Sequence, residues 1–406
     1  MPRSLWGGRT NLRERSGCKF MYLDTSDERV LAGEFGETPQ KMMEILVALG
    51  EVYEAEKLIP ITSAQVSGAS YKTIGKWGLA WLESLDARVA VPAVLNPIGM
   101  PQEGWREFGI NEEFARNQAR VVEAYRRLGI RLECTCTPYY ENITEYGEHL
   151  AWSESSAVAF ANSVLGARTN REGGPSALAA AIIGKTPYYG LHIVANRRPQ
   201  VVVEIEEGTG PYADHWGAIG HVAGKKVGNR IPIFTGIRPT RDQLKALGAA
   251  MAATGAVALF HVEKITPEAR VFSFATEDLE RVRVTQDEVE ALFAETEVEA
   301  VAVGCPHCSS AELEELADLL KGKTTTKPFY VFASAGVAKK NPDLVAAIER
   351  SGARVIPDTC MVVSPRMDEF ASIMVDSGKA FAYVPGMCGA LARIGTRKEC
   401  VEVATE

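Results

Sequence analysis

The sequence predicts an α/β fold of several domains built on parallel sheets. Strand-like apolar runs alternate with segments of helical periodicity, most clearly in the last third of the chain. Strands that alternate with helices form βαβ units, in which helices cover both faces of a parallel sheet. With 406 residues, the chain is long enough for two or three domains with full hydrophobic cores.

The first half of the chain alternates helical and extended patterns. Met42 and Met43 recur at helical spacing, as do Trp77 and Trp81, and all four are predicted to be core residues. Proline at a first helical turn and serine at an N-cap mark two helix starts. The predicted elements are a helix at 27–56, an apolar run at 57–61, a polar loop at 62–73, a strand at 88–95, a helix at 112–128, a strand at 130–137, a helix capped by Ser153, and a helix opening at Pro175.

The last third has the clearest alternation of strands and helices. The predicted elements are a strand at 298–303, a helix at 309–321, a strand at 329–333, a helix at 342–350, and strands at 353–356 and 380–384. We expect three regions: a disordered extension at 1–20, an N-terminal α/β catalytic region at 21–215 and a C-terminal α/β region at 216–406.

Composition and charge exclude several classes of protein. The net charge of −8 argues against a nucleic-acid-binding protein, which would carry a basic excess. No apolar run approaches the roughly 18–20 residues that span a membrane. The first twenty residues carry several arginines and no apolar segment, which excludes a secretory signal. We therefore expect a cytoplasmic protein that binds neither nucleic acid nor membrane.

Three of the eight cysteines follow predicted strands. Cys136, Cys305 and Cys360 each lie in a proline-containing loop just beyond a strand. Open α/β sheets bind ligands at the carboxyl ends of their strands, so these thiols could converge on one site. Eight cysteines are too sparse for a disulfide scaffold, and clustered cysteines in a reducing compartment indicate metal binding or catalysis.

Four interpretations of these cysteines remain open at this point. Three thiolates can hold an iron–sulfur cluster and leave one iron open as a Lewis acid for a dehydratase. Cys305 and Cys308 could instead form a zinc site with Cys134 and Cys136, although a C-x-C pair fits zinc poorly. A redox C-x-x-C pair ahead of a helix is a third interpretation, and small buried core residues are the fourth.

Several loop motifs resemble the catalytic domain of the aconitase X family, from Met21 nearly to the end of the chain. The motifs are Gly33-Glu-Phe-Gly-Glu37, Ser67-Gly-Ala-Ser-Tyr-Lys-Thr-Ile-Gly75, Asn96-Pro-Ile-Gly-Met100, Cys136-Thr-Pro-Tyr139, Phe160-Ala-Asn-Ser-Val-Leu-Gly-Ala-Arg168, Gly304-Cys-Pro-His307 and Asp358-Thr-Cys360. The resemblance implies a multi-domain aconitase-like fold and a hydro-lyase. It also implies an iron–sulfur cluster, [4Fe-4S] with one open iron, held by Cys136, Cys305 and Cys360.

The resemblance also suggests substrate and partner. Archaeal members act on mevalonate 5-phosphate to form trans-anhydromevalonate 5-phosphate for isoprenoid synthesis, and bacterial members dehydrate cis-3-hydroxy-L-proline. The loops at 66–75 and 96–100 favour the archaeal type. A non-enzymatic protein with a structural zinc or cluster is the alternative from another class. We expect the chain to lack the swivelling domain of the superfamily, and a separate small subunit to supply that domain and the catalytic base.

Two segments are candidates for binding a small anionic substrate. A loop after a predicted strand offers hydroxyls, backbone amides and one cation, and a second segment places two arginines ahead of a helix N-terminus, where an anion is favoured. The alternative interpretation of both segments is an exposed polar turn, and the family resemblance argues against it. The candidate residues are Ser67, Gly68, Ser70, Tyr71, Lys72, Asn162, Ser163, Arg168 and Arg171.

Overall fold

The computed structural model describes residues 21–140, 144–208 and 210–406, and it confirms the predicted α/β class. Three parallel sheets each carry helices, and one short antiparallel pair of strands joins the first region. No helix in the described part of the chain is both long and apolar enough to cross a membrane. The predicted extension at 1–20 lies outside the described residues, and the division between 215 and 216 stays a prediction.

The first sheet has the order β3-β2-β4, with all strands parallel, and β1 pairs with β5 in antiparallel fashion beside it. The strands are β1 (Leu58–Pro60), β2 (Ser63–Val66), β3 (Ala93–Leu95), β4 (Leu150–Trp152) and β5 (Lys185–Pro187). The helices are α1 (Thr25–Leu31), α2 (Glu37–Val52), α3 (Tyr71–Glu83), α4 (Glu112–Arg127), α5 (Ser155–Phe160), which continues into a π-helical turn at Ala161–Leu165, and α6 (Gly174–Ile183).

The second sheet has the order β8-β7-β6-β9 and is also parallel. Its strands are β6 (Val201–Ile205), β7 (Pro232–Thr235), β8 (His261–Val262) and β9 (Glu280–Val284). Its helices are α7 (Trp216–Val227), α8 (Arg241–Thr254), α9 (Pro267–Val271) and α10 (Gln286–Glu290).

The third sheet has five parallel strands in the order β12-β11-β10-β13-β14. Its strands are β10 (Ala300–Cys308), β11 (Phe329–Ala333), β12 (Arg354–Pro357), β13 (Ser372–Val375) and β14 (Leu391–Ile394). Its helices are α11 (Ser310–Leu320), α12 (Ala335–Lys340), α13 (Pro342–Glu349), α14 (Gly378–Cys388) and α15 (Arg397–Thr405).

Strand β10 shows how the third sheet is buried on both faces. Val301 and Val303 belong to the hydrophobic cluster on one face, whereas Ala302 belongs to the cluster on the other. Successive side chains of a strand point to opposite faces, so a strand covered on both sides is apolar throughout. This explains why the sequence of β10 reads as a continuous apolar run.

Two sequence predictions of helices and strands are wrong for reasons that lie in the local backbone. The helix predicted at 27–56 is two helices, since Gly33 and Gly36 take positive φ values of 85° and 104° between them. The strand predicted at 130–137 contributes only one bridge, between Arg131 and Val94. Cys134 has a φ of 41°, which a continuing strand cannot accommodate.

Three further predictions are also wrong. The apolar run at 380–384 is helix α14 instead of a strand, because Ser377 caps it by accepting from the N–H of Ala380. A short apolar run cannot distinguish the two by periodicity. Ser153 does not cap α5; its hydroxyl donates to the carbonyl of Gln65 at 2.6 Å. Trp77 is 78% exposed and not part of the core.

Candidate active site

Of the three cysteines predicted to follow strands, only Cys360 does so; Cys305 lies inside β10, and Cys136 follows an isolated bridge. The regular pairing of β10 with β11 ends at Val303, and Cys305 follows in the irregular stretch before Cys308. Cys360 comes three residues after β12, which runs parallel to β11. Cys136 follows Arg131, the residue that bridges to β3 of the first sheet. The carboxyl ends of two separate sheets therefore face one region.

The structure brings Cys136, Cys305 and Cys360 together. Cys136 and Cys305 are buried and Cys360 is half-buried, and none of the three forms a disulfide. Burial raises the pKa of Cys136 to about 12. Burial also raises the pKa of Cys305, and the neighbouring Cys360 and Cys136 raise it further. Each of the three thiols therefore lies within electrostatic range of the other two.

His307 connects the loops of all three cysteines. Its backbone N–H donates to the Sγ of Cys136 at 3.2 Å, and its Nε2 lies 2.9 Å from the carbonyl oxygen of Thr359, next to Cys360. Because a carbonyl only accepts, Nε2 carries the proton, and Nδ1 accepts from the hydroxyl of Thr135 at 3.3 Å. Burial lowers the pKa of His307 to about 4, so the ring is neutral at pH 7.

A cation and a carboxylate that the sequence analysis did not assign lie beside the cysteines. The ammonium of Lys379 on α14 donates to Glu154 Oε1 and, at 3.0 Å, to the hydroxyl of Ser156. The amide of Asn96 donates to Glu154 Oε2 at 2.8 Å. Burial acts to raise the pKa of Glu154, but Lys379 outweighs it and the pKa falls to about 2. The carboxylate in turn holds the pKa of Lys379 above its usual range, despite burial.

The loop at 67–72 reaches the same region through Ser70. Its hydroxyl accepts from the N–H of Lys72 at 3.2 Å, which caps α3, and donates to the carbonyl of Val363 at 2.8 Å, just beyond Cys360. The ammonium of Lys72 is held by Asp368 at 2.5 Å and by the carbonyl of Met387 at 2.9 Å.

The other residues of this loop have fewer polar contacts. The N–H of Tyr71 donates to the side chain of Gln118 at 3.0 Å, and Gly68 turns the chain with a φ of 82°. The carbonyl of Ser67 lies against Gly174, where a Cβ atom would come within 2.7 Å of it. A substrate-binding role for these residues stays a prediction.

The second candidate segment divides into buried and accessible residues. The side chain of Asn162 forms hydrogen bonds with the backbone of Thr169 and Ala258 and with the side chain of Arg197. The hydroxyl of Ser163 accepts from the N–H of Phe260 at 2.8 Å. These contacts join the first region to the second sheet. Their role as substrate ligands stays a prediction, but the contacts favour a scaffolding role.

The two arginines of this segment differ from each other. Arg168 is half-buried, and its Nε has no hydrogen-bond acceptor within the described residues. Arg171 is exposed and reaches the carbonyl of Ala252 at 3.4 Å. Arg168 therefore keeps a buried N–H donor without an acceptor among the described residues, whereas Arg171 faces solvent.

Among the described residues, neither Cys134 nor Cys308 completes a four-thiolate site. Cys134 packs in the core of the first region, whereas Cys308 packs on one face of the third sheet and Cys305 on the other. Within the described ranges, no three His, Cys, Asp or Glu side chains stand close enough to hold a single metal ion. These positions leave the zinc and redox interpretations without geometric support.

The donor set does fit an iron–sulfur cluster. Ligands of a cluster bind different iron atoms, so they stand farther apart than the ligands of one ion. Three buried thiols from three loops, with a buried ammonium close by, supply soft donors and a compensating charge. Fold and site together define a protein of parallel sheets whose strand-end loops converge on three cysteines.

Comparisons with known proteins agree with this class. Models of the aconitase X first, second and third domains match residues 20–195, 199–294 and 298–406. The chain belongs to the aconitase X family. A crystal structure titled Thermococcus kodakaraensis aconitase X (holo-form) is similar, with a TM-score of 0.88 and 43% identity over 95% of this chain and 100% of that one.

Two curated relatives of this chain carry the names of different dehydratases. The phosphomevalonate dehydratase large subunit of Methanosarcina mazei is 52% identical over 390 residues, which cover 95% of this chain and 97% of that protein. The cis-3-hydroxy-L-proline dehydratase of Pseudomonas aeruginosa is 33% identical over 410 residues, which cover 94% of this chain and 70% of that protein. The resemblance predicted from the loop motifs is thereby confirmed.

Proposed function

We propose that this chain is the large subunit of a hydro-lyase that converts mevalonate 5-phosphate to trans-anhydromevalonate 5-phosphate in archaeal isoprenoid synthesis. The observation that carries this proposal is the 52% identity, over nearly the full length of both chains, to a phosphomevalonate dehydratase large subunit. The hydroxyproline enzyme is more distant and extends well beyond the match, which covers 70% of its length.

The residues that would hold the cofactor are Cys136, Cys305 and Cys360. Their thiolates would bind an iron–sulfur cluster, [4Fe-4S] in the proposal, with one iron free of protein ligands. When bound, such a cluster supplies a Lewis acid for the substrate hydroxyl. Around it, His307 holds the Cys136 and Cys360 loops at a set spacing through its backbone and ring nitrogens.

A separate small subunit completes the proposed enzyme in the cytoplasm. The relative's name, large subunit, supports this partner. The proton on the carbon next to the leaving hydroxyl must go to a base, and we assign that base to the small subunit. In this chain the buried histidine His307 is neutral but has both ring nitrogens engaged, so it is not a free base.

Anion recognition in the proposal rests on the two candidate loops. Arg168 has an unpartnered, buried Nε within the described residues and lies shortly before the N-terminus of α6, where backbone N–H groups favour an anion. The loop from Ser67 to Lys72 supplies hydroxyls and amides near the Cys360 turn. We assign the phosphate and carboxylate of the substrate to these two loops.

The test is an anaerobic assay of this chain co-expressed with its small subunit. Mevalonate 5-phosphate and cis-3-hydroxy-L-proline are offered in parallel, and iron and sulfide are counted on the same sample. Turnover of the phosphate ester with bound iron is the expected result. Turnover of the amino acid alone would keep the mechanism and change the substrate. Absence of iron and of turnover would overturn the proposed function.

A further inference from the structure

An ion pair between Lys379 and Glu154 joins two regions of the chain that are 225 residues apart. Lys379 is only 5% exposed, and its side chain has two hydrogen-bond acceptors among the described residues, Glu154 and Ser156. The same ammonium also faces the ring of Tyr383, with its nitrogen 6.0 Å from the ring centroid. Asn96 holds the far oxygen of Glu154 at 2.8 Å, which prevents the carboxylate from rotating away.

Two chains of contacts place this pair beside the cysteines. On one side, Ser377 caps the helix that carries Lys379 and donates its hydroxyl to the carbonyl of Cys305. On the other side, the N–H of Glu154 donates to Gln65 Oε1 at 3.4 Å, and Gln65 Nε2 donates to the carbonyl of Thr135 at 3.0 Å. Thr135 directly precedes Cys136, so the pair is anchored to two of the three cysteine loops.

Lys379 is a buried cation two residues after Ser377, the cap residue that holds the carbonyl of Cys305. Three thiolates in a buried site require compensation, since uncompensated buried charge is costly. The proposed dehydration does not use Lys379. Because the ammonium of Lys379 stays charged, it is poorly suited to proton transfer.

We propose that Lys379 is a positioning residue that places a positive charge beside the iron–sulfur cluster, and that Glu154 and Ser156 hold it there. The inference rests on the proposed function, because it assigns to this chain's own side chains the charge that balances a three-thiolate cluster. Net charge and hydrogen bonds to sulfur are two of the factors that set the reduction potential of such a cluster.

The competing explanation is that the pair is only a structural bridge, and the chain offers a matched control. Lys245 on α8 is 3% exposed and pairs with Glu312 on α11, so it also joins two regions through a buried ion pair. Its ammonium acts on Cys308, which is not one of the three cysteines, and lies 3.4 Å from the carbonyl of His307. Removing Lys245 therefore disrupts a bridge without removing the charge assigned to the cluster.

The experiment uses the anaerobically prepared complex with the small subunit, in variants Lys379→Met, Glu154→Gln and Lys245→Met. Iron and sulfide are counted, and the reduction potential is measured by spectroelectrochemical titration. We expect Lys379→Met to lower the potential, because reduction adds negative charge and a cation has been lost. Glu154→Gln should raise it, because the cation has lost its counter-charge. Lys245→Met should leave the potential close to that of the wild type.

The opposite signs decide between the two explanations. If the ion pair is only a structural bridge, the reduction potentials of Lys379→Met and Glu154→Gln would shift in the same direction or not at all. Either result would overturn the inference. If Lys379→Met fails to retain iron while Lys245→Met retains it, and Lys379→Arg restores it, the inference stands. Loss of iron in both lysine variants would overturn it. A wild-type complex that contains no iron would overturn the proposed function itself, so the two failures are distinguishable.

Discussion

The backbone N–H of His307 donates a hydrogen bond to the Sγ of Cys136 at 3.2 Å, across 171 residues of sequence. The same residue donates from its ring to the carbonyl of Thr359, and it lies two positions after Cys305. One residue therefore sets the spacing of three loops that come from two different sheets. N–H donors to a metal-binding sulfur also stabilise its thiolate form, which is a role typical of groups around metal ligands.

Replacing His307 by Leu should destabilise the protein by about 2–5 kcal/mol, because the carbonyl of Thr359 and the hydroxyl of Thr135 lose their buried partner. Urea unfolding measures the change. The variant His307→Gln can keep a donor near the position of Nε2 and should lose clearly less. Equal losses in the two variants would contradict the assigned hydrogen bonds.

Replacing Cys308 by Ala should leave the iron content unchanged and cost about 1 kcal/mol of stability, since Cys308 packs in the core on the far face from Cys305. Replacing Cys360 by Ala should abolish iron binding. Iron and sulfide analysis of both variants, purified without oxygen, tests the pair. Loss of iron from Cys308→Ala would support the alternative interpretation, a metal site with four cysteine ligands.

Replacing Arg197 by Met should cost about 3–5 kcal/mol, because Glu268 would be left as an uncompensated buried charge. Arg197 also donates to Asn162, Leu191 and Ala167, and so supports the segment that leads to Arg168. The control is Arg126→Met, which breaks an exposed pair with Glu123 and should cost at most about 1 kcal/mol. Thermal and urea unfolding compare the two; similar small losses would contradict the buried network.

Replacing Gly378 by Ala should destabilise the packing of α14 against α7 by about 1–3 kcal/mol, because the added Cβ atom would lie 2.0 Å from the carbonyl oxygen of Gly217. Gly386 in the same helix is the matched control, since nothing lies within 4 Å of its Cβ position. Gly386→Ala should be neutral or stabilise the helix by up to about 1 kcal/mol. The difference in unfolding midpoint between the two variants measures how much stability depends on the close approach of Gly378 to Gly217.

Acid should destabilise the protein through its buried histidines, which include His307 and two that lie outside the cysteine loops. Burial lowers the pKa of His192 to about 3 and that of His261 to about 4, whereas both titrate near 6.5 when unfolded. Below about pH 6.5 the unfolded chain therefore binds protons that the folded chain does not. The free energy of unfolding should fall by about 1.4 kcal/mol per pH unit for each histidine, down to its folded pKa.

Urea unfolding between pH 7.5 and 5.5 measures this slope. The variant His192→Gln removes one of the two groups and should give a shallower dependence on pH. An unchanged slope in that variant would show that His192 is not a source of the acid sensitivity. From about pH 7.5 upward, both histidines are essentially neutral in both states, so neither contributes a pH dependence there.

Several features of the site were predictable from the sequence because they depend on local patterns. Cys136, Cys305 and Cys360 follow strand-like runs, and the loops around them carry the family resemblance. Lys379 was missed because the apolar residues after it resemble a strand, although they form helix α14. A lysine at the start of a buried helix, directly after Ser377 and Gly378, was the available signal.

Local sequence patterns were enough to predict the alternation of strands and helices, the parallel sheets and the cysteines near strand ends. Those features follow from backbone periodicity and from the rule that parallel strands end at a common edge. Three-dimensional packing was needed to show that Cys134 and Cys308 lie in separate cores, and that Lys379 contacts Glu154. The reason is physical: those contacts join residues far apart in the chain, and packing alone selects which side chains meet.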